Sequence, residues 1–377
     1  MPAAAAPSPL GEVVRCFFRL GLTAFGGPAA HIALMEREVE RRGWMSRERF
    51  LDLVGACNLL PGPSSTQVAM ALGFSRAGWL GLTAAGACFI LPASLATLAL
   101  AWAYVRFGSL PQALGLLYGA KPVMVAIVAQ AVFRLGRTAY RKGTLALAGA
   151  ACLAATLAGA PPIAVLLGCG ALFLLLAWRA SSPPRTTALG IAWLPSALGS
   201  SGIPAAGLLP ILLVFLKLGV VVFGSGYVLL AFLKSDLVDR LHWVTNSQLL
   251  DAVTAGQVTP GPVFATATFL GYLLHGYAGA FVATAAIFFP SFLMAGGVGA
   301  LAGRIRKSPL AGAFLDGVNA AAVALMAAVG LTLGRAALVD PWTAAMGLAS
   351  GVLMIRFKVN ATWLILGGAL LGLLLRG

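Results

Sequence analysis

Acidic residues are scarce in this chain: Asp and Glu number 11 in 377 residues, and all charged side chains together make up 10%. Soluble domains average roughly 25% charged residues, so this sequence cannot clothe a globule of its length in polar surface. Histidine is scarcer still, and His31, His242 and His275 stand at no metal-ligand spacing. The five cysteines, Cys16, Cys57, Cys88, Cys152 and Cys169, lie singly in apolar stretches without a CxxC pair. That distribution argues for small packing residues rather than a metal or redox centre. With acids and histidines this sparse and dispersed, no enzyme constellation, metal or cofactor is expected. The opening MPAAAAPSPL lacks a basic stretch followed by a short apolar core, so no cleavable signal peptide is expected.

What the chain does have is apolar length. Hydrophobic residues make up 60% of it, mean hydropathy is +0.92, and residues 77–105 carry no charge between Arg76 and Arg106. Apolar runs of about 20 residues span a bilayer, so the expected class is an all-α polytopic membrane protein. A net charge of +15 would suggest nucleic acid in a soluble protein. Here Arg and Lys cluster between apolar segments, the pattern of cytoplasmic loops, and no nucleic-acid partner is expected.

The sequence is also a duplication. RLGLTAFGGP (19–28) resembles KLGVVVFGSG (217–226), and WMSRERFLDLVGACNLLPGP matches WVTNSQLLDAVTAGQVTPGP. Arg19 thus falls over Lys217, Asp52 over Asp251, Asn58 over Gln257 and Pro92 over Pro290, at a constant offset of 198 or 199. Two homologous repeats follow, 1–178 and 208–377, joined by a Ser-, Pro- and Gly-rich linker over 179–207. Each repeat reads as six apolar segments, near 12–35, 50–74, 77–105, 110–134, 144–159 and 162–178 in the first.

Proline and glycine interrupt two of these segments where an unbroken helix is expected. Pro61-Gly62-Pro63 and its partner Pro260-Gly261-Pro262 form one pair of breaks. Gly26-Gly27-Pro28 and its partner Gly224-Ser225-Gly226 form the other. If all twelve segments cross, loop cations divide 13 to 9 between the two sides. If the Pro-Gly-Pro segments dip in and return, one side collects 17, and the other keeps Arg106, Lys234, Arg240, Arg335 and Arg376. The positive-inside rule favours the second arrangement. It gives about five crossings plus one re-entrant segment per half, and hence an inverted repeat, a common transporter plan. A simple kinked helix at each Pro-Gly-Pro is the alternative.

Broken backbone at membrane depth needs protein or a water-filled cavity around it, and a restarting helix turns its N–H groups and positive dipole end toward the gap. The candidate anion-binding residues are therefore the two pairs of breaks with Ser64, Ser65 and Thr66 after the first Pro-Gly-Pro, and Asn58 and Gln257 before each. Gln67 adds a further hydrogen-bonding side chain to that first restart. Ser and Thr there equally suit helix capping. Arg19, Lys217 and Lys121 are cations within apolar segments, where a charge usually faces a pathway or a partner. Arg15 reads as a snorkelling side chain. Asp52 and Asp251 are matched carboxylates suited to balancing those cations or carrying a proton. The mixed-charge run 36–50 reads as a solvated hairpin.

These residues resemble a known family. FGGPAAHIALMEREVERRGWMSRERFLDLVGACNLLPGPSSTQVAMALGF looks like the N-terminal signature of the chromate ion transporter (CHR) family, and FGSGYVLLAFLKSDLVDRLHWVTNSQLLDAVTAGQVTPGPVFATATFLGY looks like its C-terminal counterpart. The resemblance spans roughly residues 10–335. It implies a two-repeat inner-membrane exporter of chromate driven by membrane potential or proton motive force, with sulfate as the related oxyanion. It also implies functional roles for Phe25 to Pro28 and for Pro61, Gly62 and Pro63. Its partners are then the oxyanion and the lipid bilayer, and a homodimer is one arrangement open to it. A transporter of another oxyanion shares these features, and a membrane enzyme acting on a lipid-linked phosphate is the remoter alternative.

Overall fold

The computed structural model describes residues 8–180, 207–223, 226, 228–306 and 308–376. Among these the structure is helical throughout, with one isolated bridge between Pro61 and Phe223. The first half runs α1 (Pro9–Thr23), α2 (Pro28–Arg42), α3 (Arg47–Cys57), α4 (Ser64–Phe107), α5 (Pro111–Ala139), α6 (Gly143–Leu157) and α7 (Pro162–Ala180). The second repeats it as α8 (Leu208–Val221), α9 (Val228–Leu233, continued by a π-helical turn over Lys234–Arg240), α10 (Asn246–Val258), α11 (Thr266–Arg306), α12 (Pro309–Ala337), α13 (Pro341–Arg356) and α14 (Ala361–Arg376). Proline opens α1, α2, α5, α12 and α13, where its missing N–H costs nothing.

The Pro-Gly-Pro segments turn back. α4 is two arms: Ala77 and Gly78 leave helical geometry, and the arms then run antiparallel, with Gly73 packed on the Gly81 backbone and Gly86 on Met70. His275 and Gly276 make the same turn in α11, with Gly271 packed on Gly279. Thus α3 descends to Pro61-Gly62-Pro63, the first arm of α4 returns, and the second arm runs inward. The glycine break is a further reversal. α2 folds back along α1, with His31 bonded to the Ala24 carbonyl, Glu38 beside Arg19 and Trp44 beside Phe17. Six charges over 36–42 explain why the chain surfaces again instead of continuing as an apolar crossing.

The inversion is visible where α5 meets α12. Gly334 packs against Val125, and Gly136 packs against Val323. Residues 125 and 323 are repeat equivalents, as are 136 and 334, so the contact is self-exchanging, the mark of a two-fold relation. Gly330 packs against Val128 between them, so the helices run antiparallel and the axis lies across them. One end of the molecule carries the Arg76–Glu12 pair at 2.9 Å, and the other carries Arg376–Asp340 at 3.1 Å. Among the described residues five helices are long and apolar enough to cross a membrane, and apolar side chains such as Leu147, Phe281 and Leu374 cover the outside.

Candidate functional site

The site is built where four helix breaks meet. The Gly62 N–H donates to the Val222 carbonyl at 2.6 Å, and the Gly261 N–H donates to the Ala24 carbonyl at 2.8 Å. Each Pro-Gly-Pro tip is therefore tied to the first break of the opposite half. Gly62 and Gly261 adopt φ of 108° and 93°, which favours glycine. Neither could carry a side chain: a Cβ on Gly62 would lie 2.8 Å from Ser291 Oγ and 2.9 Å from Gln67 Nε2, and one on Gly261 would lie 2.8 Å from the Ala93 methyl. α2, the first arm of α4, α9 and the 3₁₀ turn Val263–Ala265 ahead of α11 all begin at these tips. Four positive helix ends thus converge near the middle of the molecule, a setting suited to an anion.

The two halves differ in polarity there. Ser64, Ser65, Thr66 and Gln67 are all buried, and Gln67 Nε2 donates to the Pro61 carbonyl at 2.5 Å. His31 is buried against Phe89, with Nε2 at 3.1 Å from the Ala24 carbonyl and Nδ1 at 3.3 Å from Ser65 Oγ. A carbonyl only accepts, so Nε2 carries the proton and Nδ1 is left to accept from the serine. In the second half Leu229 and Phe264 replace His31 and Ser65. Buried atoms without a hydrogen-bond partner among the described residues include Thr66 Oγ1, Gln67 Oε1, Ser94 Oγ, Ser291 Oγ and Gln257 Nε2. Buried polar groups are rarely left this way unless a ligand or water uses them. A small cavity of about 10 Å³ beside Gln257 is lined also by Gly226 and Thr266.

The cations divide into two sets. Lys121 in α5 lies 3.3 Å from Asp251 of α10, donates to Ser247 Oγ at 2.7 Å, and shares Asp251 with the Tyr104 hydroxyl at 3.1 Å. Asp251 is 3% exposed, and this cluster joins the two halves. Tyr104 lies eleven residues beyond Ala93, about 16 Å along α4 at 1.5 Å per residue, so the cluster stands away from the tips. Lys217 and Arg19 are held within their own hairpins. Lys217 pairs with Asp236 at 2.5 Å and Arg240 joins it at 3.2 Å; Arg19 approaches Glu38 at 3.9 Å and Arg42 joins it at 3.0 Å.

Gly26, Gly27 and Pro28 form the first tip; Asn58, the C-cap of α3, and Asp52, midway along it, are exposed, and Arg15 is exposed on α1. Gly224 and Ser225 lie outside the described residues. Glu38, Asp236, Tyr104, Ser291 and the Thr97–Thr259 hydroxyl pair, 3.2 Å apart across the halves, were not singled out by the sequence. The register of the repeat could have found Glu38 and Asp236, which stand 198 apart.

The sequence profile of the family described as Chromate transporter matches residues 11–174 and 209–373. A chromate transport protein of Cupriavidus metallidurans is 34% identical over 97% of this chain and 92% of its own length. A probable chromate transport protein of Synechococcus elongatus is 32% identical over 90% of this chain and 88% of its own. A chromate transport protein of Pseudomonas aeruginosa is 30% identical over 98% and 93%. No solved structure matches. The two matched regions coincide with the two inverted halves whose tips interlock, and the chain, a multi-pass membrane protein, belongs to the chromate transporter family.

Proposed function

We propose that the protein exports chromate across the bacterial inner membrane, drawing on the membrane potential or the proton motive force, and so confers chromate resistance. The observation that carries this reading is the meeting of four helix starts around buried hydroxyl and amide groups without partners. A tetrahedral dianion suits such a setting, with convergent N–H and O–H donors and positive helix ends. Gly26, Gly27 and Pro28, then Pro61 to Thr66 with Gln67 and Ser291, form its polar wall, and Pro260 to Pro262 with Gln257 close the far side. Lys121 and Asp251 balance charge along the pathway, away from the tips: an anion passing them draws on the lysine, and the carboxylate exchanges its partner for a proton. Rocking of the halves about the two-fold axis breaks one cross-half tip contact at a time and opens the tips to alternate sides. An inside-negative potential favours exit of a dianion by about 4.6 kcal/mol per 100 mV.

The test is uptake of labelled chromate into inverted vesicles under an imposed potential, with unlabelled sulfate as competitor. Uptake that follows the potential and is only weakly blocked by sulfate is the expected result. Strong block by sulfate reassigns the substrate to that oxyanion, and no uptake by folded protein removes the chromate reading.

A further inference from the structure

The tip at Phe25-Gly26 is exposed, and it has a neighbour from the far end of the chain. A Cβ on Gly26 would lie 3.6 Å from Asn360 Nδ2 and 3.9 Å from its Oδ1. Asn360 belongs to the turn between α13 and α14, so this turn reaches the depth of the central tips. α13 starts at the Asp340–Arg376 end, so the turn opens toward the opposite, cation-rich end. The Thr362 N–H donates to Asn360 Oδ1 at 3.0 Å, which fixes the amide and leaves Nδ2 as the donor nearer the tip. Thr362 is 8% exposed, and its Oγ1 is buried without a partner among the described residues. Two residues before Asn360, Lys358 holds φ of +54°, a conformation a lysine seldom adopts. Lys358 and Arg356 are exposed and have no carboxylate partner among the described residues.

The matching turn of the first half, residues 158–161, reads Ala-Gly-Ala-Pro and offers neither cation nor amide. The two-fold relation is broken at this turn in the direction an anion pathway requires. We infer that Lys358 and Asn360 form, with the Phe25-Gly26 backbone, an anion-receiving subsite on the cytoplasmic side of the tips, which takes a tetrahedral oxyanion before the halves rock. Lys358 supplies the charge that concentrates the anion, and Asn360 supplies a directed donor next to the glycine. This inference rests on the oxyanion-export reading, and the experiment separates the two.

Initial chromate uptake into inverted vesicles at low salt is compared for wild type, Lys358→Arg, Lys358→Glu and Asn360→Asp. In the two acidic variants the half-saturating concentration is expected to rise about tenfold or more, with maximal rate nearly unchanged, whereas Lys358→Arg follows wild type. In a Cys88→Ala background, Lys358→Cys is expected to react with an impermeant thiosulfonate in inverted but not right-side-out vesicles. An aminoethyl reagent restores wild-type half-saturation there, and a sulfonatoethyl reagent worsens it. Unchanged half-saturation in both acidic variants, or labelling from the outer face alone, overturns the subsite. Wild-type vesicles that take up no chromate count against the export reading instead; the same comparison is then run with labelled sulfate, and a wild type inert to both overturns the subsite along with it.

Discussion

Lys121 and Asp251 show most clearly how a single pair ties the halves together. Removing one partner of a buried ion pair strands the other charge, at a cost of about 3 kcal/mol or more. Lys121→Ala and Asp251→Ala should therefore each lower the thermal midpoint in detergent, and the double substitution should recover most of the loss. Transport separates structure from function: the double variant, though folded, should carry chromate at under about a tenth of the wild-type rate, since the helix ends remain but the balancing charge does not. A folded double variant with full transport would reduce the pair to a structural clamp. Both residues were legible as isolated charges in apolar surroundings. Their partnership was not, because they stand 130 positions apart in different halves and the repeat matches Lys121 with neutral Asn319. Tyr104 gave no signal at all, being one aromatic in a long apolar run.

At the scale of the helical hairpin, each first hairpin is pinned by one carboxylate, Asp236 held by Lys217 and Arg240 and Glu38 by Arg19, Arg41 and Arg42, but the contact that spans the hairpin differs between the two. The Asp236 side chain is 9% exposed and its spanning partner Lys217 27%, at 2.5 Å, whereas Glu38 is 17% exposed and its spanning partner Arg19, 65% exposed, reaches it only at 3.9 Å. Exposed pairs contribute under about 1 kcal/mol, while an unpaired buried charge costs several times that. Asp236→Asn should thus destabilise the protein by about 3 kcal/mol and Glu38→Gln by about 1 or less, measured as thermal unfolding of purified protein. Lys217→Ala in the Asp236→Asn background should restore stability. The reversal at Gly26-Gly27 was only partly legible: the break is plain in the sequence, yet α2 keeps apolar residues on one face, so segment 12–35 reads as continuous. The turns at Ala77-Gly78 and His275-Gly276 fall between segments the hydropathy already separates. Helix lengths follow from composition, but which arm packs on which is decided by glycine contacts spread over distant positions.

Across the whole molecule, the duplication made the inverted plan readable, while the interlocking of the tips was not, since backbone hydrogen bonds leave no side-chain signature. That interlock makes the export mechanism testable. Pro61 and Phe223 face each other in an antiparallel bridge, where opposed Cα atoms stand about 4.5–5.5 Å apart, within the range a disulfide spans. Pro61→Cys with Phe223→Cys should therefore cross-link under mild oxidation without remodelling the tips. If the halves rock, the oxidised protein cannot separate the first Pro-Gly-Pro tip from the second-half break, and chromate uptake should stop and return on reduction. The repeat equivalents, Phe25→Cys with Pro260→Cys, should behave alike, because rocking about a two-fold axis needs both contacts to open in turn. Full transport with either cross-link complete would mean that the anion passes a fixed tip arrangement, and a static pathway would replace alternating access. Arrest by one cross-link but not the other would place the moving contact in a single half, which the polar asymmetry between His31 with Ser65 and Leu229 with Phe264 assigns to the first-half tip.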